Sequence, residues 1–136
     1  MAVLPSYWTK FVAEHRLAGR EFLVPWTAED ADDDLTHEIG VMSEAHVYEE
    51  ATKLWPGVRV FPDGFVPVGA DLIGTGDQYF ININDGPGGP LYQIDHEKVY
   101  DDGYDRNDAV SVVLKNYEEL LNYVTGGELD TGNAKS

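Results

Sequence analysis

Apolar and polar positions are most sharply organised between Phe61 and His96. Three short runs of β-branched and aromatic residues lie there, Phe65 to Val68, Tyr79 to Ile83 and Leu91 to Ile94, each bounded by Gly, Pro, Asn or Asp. Runs of that length with that punctuation predict an antiparallel β-meander. In the middle run Ile81 and Ile83 alternate with Asn82 and Asn84, which predicts a strand with one apolar and one polar face. Such a strand covers a core on one side only. Helices before and after the meander are then expected to supply the other half of that core.

The flanking patterns have helical spacing. Tyr7, Trp8, Phe11, Val12 and His15 recur every three or four residues behind Pro5, which predicts a helix over Pro5 to Leu17 ended by Gly19. Glu21 to Pro25 reads as a short strand, placed by Pro25 at an edge or a strand end. Thr27 and Asp30 have capping-box spacing, so a helix is expected to begin there and to be interrupted at Gly40. Ser43 caps a further piece with Val47, Tyr48, Ala51, Leu54 and Trp55 as its apolar stripe, stopped by Pro56 and Gly57. Val58 to Phe61 then leads through the turn Pro62-Asp63-Gly64 into the meander. The strongest helical pattern is the last: Val110, Val113, Leu114, Tyr117, Leu120, Leu121 and Val124 share one stripe after a polar loop, Tyr100 to Asp108, with Asn107 or Asp108 as cap. The fold class expected is therefore α+β, a mostly antiparallel sheet flanked by N-terminal and C-terminal helices. One domain over residues 1–125 and a flexible tail over 126–136 complete the organisation.

Charge changes the picture. The chain carries 25 acidic against 9 basic residues among 136, a net charge of −16, and a field of that sign repels phosphate backbones, so nucleic-acid binding is not expected. The carboxylates are also clustered. Glu29, Asp30, Asp32, Asp33, Asp34, Glu38, Glu44, Glu49 and Glu50 lie in a stretch without a single Lys or Arg, and Asp101, Asp102, Asp105 and Asp108 follow with only Arg106 among them. Acidic faces commonly serve solubility; clustered charge of one sign can also steer a basic partner into contact. The chain has no cysteine, which excludes disulfides and thiolate chemistry and points to a reducing cytoplasm. The opening MAVLPSYWTK lacks the apolar run of a signal peptide, and no membrane span is expected.

Catalytic motifs are missing. Gly74-Thr75-Gly76 starts like a nucleotide fingerprint but lacks a third glycine and precedes a strand, so it reads as a hairpin loop. Asp101-Asp102-Gly103-Tyr104-Asp105 has the composition of a calcium loop without the EF-hand spacing. Of the four histidines, His15, His37, His46 and His96, only His96, between Asp95 and Glu97, has a metal-like setting, and a structural histidine at a strand end is the commoner outcome. No serine sits in a nucleophile elbow. No catalytic residue, cofactor or metal is expected.

Several segments resemble the SUKH superfamily, the bacterial immunity proteins that include relatives of a yeast cell-wall regulator. They are Phe65-Val66-Pro67-Val68-Gly69, then Gly74-x-Gly76-Asp77, the run Tyr79-Phe80-Ile81, Gly89 to His96 (Gly-Pro-Leu-Tyr-Gln-Ile-Asp-His), and Tyr117-Glu118-Glu119-Leu120-Leu121, in the family's order. The resemblance implies an α+β fold and, for most bacterial members, neutralisation of a cognate toxin, often a nuclease, delivered by a neighbouring cell. It implies no catalytic residue.

The expectation is thus a non-enzymatic immunity protein that binds a basic toxin domain through an acidic surface. The alternative is an intracellular regulator or scaffold of the same fold that binds a host protein. Candidate contacts are Glu29, Asp30, Asp32, Asp33, Asp34, Glu38, Asp101, Asp102 and Asp105.

Overall fold

The computed structural model of the chain describes residues 4–25 and 36–125. The helix expected to start near Thr27, the carboxylates Glu29, Asp30, Asp32, Asp33 and Asp34, and the tail over 126–136 lie outside the described residues.

The fold is α+β. Helix α1 (Ser6–His15) leads to strands β1 (Glu21–Pro25) and β2 (Thr36–Val41), then to helices α2 (Glu44–Thr52) and α3 (Gly57–Val60). The meander β3 (Phe65–Asp71), β4 (Tyr79–Asn82) and β5 (Leu91–Ile94) follows, and α4 (Arg106–Ala109), β6 (Val110–Leu114) and β7 (Val124–Thr125) end the described chain. All strands among the described residues join one seven-stranded sheet in the order β6-β5-β4-β3-β2-β1-β7, antiparallel throughout. No helix among the described residues is long and apolar enough to cross a membrane.

Local chemistry explains most boundaries. The Pro5 carbonyl accepts from the amides of Trp8 and Thr9 to open α1, and Arg16, in the left-handed region at φ 55°, closes it. Ser43 caps α2 as expected, its hydroxyl accepting from the His46 amide at 3.2 Å. Pro25 ends β1 beyond the two residues, Glu21 and Phe22, that pair with β7, so it costs no ladder bond on that side.

The meander is where the pattern placed it, but its middle strand is not one-sided. All four residues of β4 are buried. Tyr79 and Ile81 enter a core with Trp8, Phe11, Phe22, Val66 and Tyr117, while Phe80 enters a second, with Val60, Phe65, Tyr92 and Ile94 on the opposite face. The sheet is covered twice, by α1 and the 3-10 helix Tyr117–Asn122 on one face and by α3 and α4 on the other. Each large side chain so buried contributes about 1.5–3 kcal/mol.

Two helical expectations give way to strands. Gly40 does not interrupt a helix: Thr36 to Val41 form β2, where His37, Ile39 and Val41 face inward in strict alternation. The stripe from Val110 to Val124 is no helix either. Val110–Leu114 pairs with β5, and only Tyr117–Asn122 turns, as a 3-10 helix capped by the Asn116 side chain. Three valines in five residues favour a pleated surface, and β5 offers an open edge to pair with. The loop's cap is likewise Asp105, which accepts from the Asn107 amide at 3.0 Å, rather than Asn107 or Asp108. Val58 to Val60, expected as an approach to the strand, belongs to α3, and α2 ends at Thr52, so Leu54 and Trp55 are exposed rather than part of its stripe.

The sheet is also curled. Edge strands β6 and β7 are joined by residues 115–123, six of them in the 3-10 helix, which reach about 25 Å at most, while seven flat strands would set them about 29 Å apart. Val24 of β1 and Val112 of β6 accordingly line the same cavity.

Candidate functional site

Among the described residues, the expected acidic surface is represented by Glu38, Asp101, Asp102 and Asp105. Glu38 is half-buried on β2, three strands away from β5, whose C-terminal end leads into the loop carrying Asp101, Asp102 and Asp105. Among the described residues singled out from sequence, those three are neighbours and Glu38 stands apart from them.

That loop is built by short-range bonds. Asp95 caps the turn after β5 by accepting from the Glu97 amide at 3.0 Å, and its own amide donates to the Ala109 carbonyl at 2.8 Å, tying the two ends of the loop together. Tyr100 and Gly103 exchange backbone bonds of 3.0 and 3.1 Å, which fixes Asp101 and Asp102 at the tip of a two-residue turn. Gly103 has φ 140°, a backbone region that a side chain would strain. Asp101, Asp102 and Asp105 are all exposed, and Tyr100 beside them is 58% exposed. Asp105 has a structural task as well, because its carboxylate caps α4. Lys98 is drawn to Asp108 at 3.1 Å, so it does not offset the charge at the tip.

Beside the same loop two arginines gather around one carboxylate. Arg59, Asp63, Phe65, Gly103, Tyr104 and Arg106 line a cavity of about 310 Å³. The Arg106 guanidinium sits 4.9 Å from the centre of the Phe65 ring and 5.6 Å from that of Tyr92, and Arg59 sits 5.6 Å from Tyr104. The Tyr104 hydroxyl donates to Asp63 at 2.7 Å; burial first, and this carboxylate second, push its pKa upward. Sequence inspection missed this group because Arg59 and Asp63 precede the meander while Tyr104 and Arg106 follow it. The only signal was that two of the nine basic residues flank stretches rich in Gly, Pro and aromatic residues.

A third cluster sits at the far ends of β4 and β5. His96 Nδ1 meets Asp77 Oδ1 at 2.6 Å, and the His96 amide donates to the same oxygen at 3.0 Å. The hydrogen bond to Asp77 holds the His96 pKa above its ordinary value. With Asp95, these side chains offer three ligand atoms within 4.8 Å of one another, the set among the described residues that could hold a metal ion. The pair already has a structural role, joining the loop before β4 to the end of β5. Nearby, Asp71 caps the Gly74 to Gly76 hairpin loop by accepting from the amides of Ile73, Gly74 and Thr75, the hairpin reading expected of that segment.

Comparison with protein-family models, curated proteins and solved structures returns no match for the chain.

Proposed function

We propose that the chain is a non-enzymatic binding protein of the immunity type, which neutralises a basic toxin domain by covering it with the turn Tyr100 to Asp105. The observation that carries this reading is the exposed Tyr100 ring set beside Asp101 and Asp102 on a turn locked by its own backbone bonds. An exposed aromatic on a rigid support is the kind of residue that anchors an interface, and carboxylates around it steer a basic surface into register. The net charge of −16 acts in the same direction at long range. The resemblance to immunity proteins of the SUKH type supports a toxin as the partner.

The test is a pull-down with the full chain at low and high salt, with bound proteins identified by mass spectrometry. A basic toxin domain retained at low salt and released at high salt supports the proposal. Capture by the wild type and equally by the combined variant Tyr100→Ala, Asp101→Asn, Asp102→Asn removes this turn from the interface. A parallel variant, Asp32→Asn with Asp33→Asn and Asp34→Asn, tests the acidic stretch preceding β2. Recovery of housekeeping proteins alone favours a regulator or scaffold instead.

A further inference from the structure

Lining one cavity with two guanidinium groups is unusual in a chain with 9 basic and 25 acidic residues. The more telling fact is how little those groups are neutralised. Among the described residues no carboxylate lies within 4.0 Å of the Arg106 guanidinium; aromatic rings hold it, and its one hydrogen bond is a long one of 3.4 Å to the Tyr92 hydroxyl. That hydroxyl already donates to Asp85 at 2.7 Å. Arg59 reaches Asp63 only at 3.8 Å, beyond hydrogen-bond length, and the same Asp63 oxygen accepts from Tyr104. Among the described residues, planar N–H donors of both arginines therefore lack a close protein acceptor, around a cavity lined by Phe65 and Tyr104.

We propose that this cavity binds a small molecule carrying an oxyanion, a carboxylate or a phosphate, next to a flat apolar portion. The guanidinium groups match the planar oxygens of such a group, and the partly exposed Tyr104 ring offers the apolar part a surface to lie against, Phe65 serving beneath as the buried support of Arg106. Stacking of Arg106 on Phe65 and Tyr92 sets its orientation before a ligand arrives, which lowers the ordering cost of binding. The net negative charge of the chain repels anions at a distance, so recognition rests on contact geometry rather than on long-range attraction. The inference does not depend on a protein partner for the Tyr100 turn.

Backbone NMR titrations of the full chain test it, with inorganic phosphate, benzoate and the uncharged isostere benzamide as probes. Saturable shifts at Gly103, Tyr104 and Arg106 are expected with phosphate or benzoate and not with benzamide; which anion responds assigns the headgroup. Arg106→Gln and Arg59→Gln are each expected to weaken binding about tenfold, the scale of one lost charge-assisted hydrogen bond. Because Arg106 also packs on rings, Arg106→Lys is the companion variant: it keeps the charge, loses the fork, and is expected to bind more weakly than the wild type with the spectrum otherwise intact. No saturable shift with either anion, an equal response to benzamide, or binding unchanged in both glutamine variants, which would mean an adventitious ion only, overturns the proposal.

Discussion

His37 Nδ1 lies 3.2 Å from the Tyr79 hydroxyl, and the two rings meet edge to face at 5.6 Å, although their strands β2 and β4 are separated by β3. On the strand between, Gly69 pairs with Tyr79. Burial lowers the His37 pKa below 6.5, with the Asp71 charge opposing. The unfolded chain thus binds more protons than the folded one as the pH falls. The contribution of neutral His37 is complete above its unfolded pKa and lost as the pH drops toward and through the lower folded value. Urea denaturation at pH about 7.5 and about 5 is expected to show this loss, and His37→Leu is expected to reduce it. Tyr79→Phe should cost about 1 kcal/mol at neutral pH.

His96 has the opposite sign. Its folded pKa is raised, chiefly by the hydrogen bond to Asp77, so its contribution is complete below the unfolded value of 6.5 and lost as the pH rises through the folded one. Its side chain is 36% exposed, and solvent screening keeps the effect below about 1 kcal/mol. Asp77→Asn is expected to move the His96 titration, followed by NMR, back toward 6.5. An unmoved titration would dismiss the pair as the cause.

Two glycines are required by their neighbours. A Cβ at Gly69 would stand 2.7 Å from Ile39 Cγ2 and 3.1 Å from Tyr79 Cβ, both fixed in the core, so Gly69→Ala should destabilise by about 1–3 kcal/mol. At Gly57 the added carbon would run into the Glu50 carbonyl oxygen, a backbone atom that cannot rotate away. Gly57→Ala is expected to be the more damaging in thermal unfolding.

The double covering of β4 has its own test. Phe80→Ala and Ile81→Ala empty opposite cores and are expected to cost about 3–5 and 2–5 kcal/mol, respectively. Ile83, the next apolar residue along, is 45% exposed, and its alanine variant should cost under about 1 kcal/mol. Equal, small losses for Phe80 and Ile83 would mean that only one face carries a core.

The meander and its hairpin loop were legible because β-branched runs between Gly, Pro and Asn are signals contained within a few residues. Helix α1 and the Ser43 cap were legible for the same reason. The stretch Val110 to Val124 misled because its apolar residues satisfy a helical stripe, whereas the open edge of β5, invisible to periodicity, made Val110–Leu114 a strand. The second core was equally hidden: Asn82, polar in sequence, is buried because its side chain bonds to the Asp63 carbonyl and the Asn84 amide.

The sequence by itself determined the class of fold, the order of the central strands and the acidic character of the chain, since each follows from composition or from contacts between near neighbours. Only the tertiary structure decided which charged residues meet. It left Glu38 on a strand remote from the Asp101 turn, and it brought Arg59 and Arg106, from opposite ends of the meander, to one cavity. Antiparallel pairing sets those neighbourhoods through strand order, and strand order depends on contacts between segments far apart in the chain.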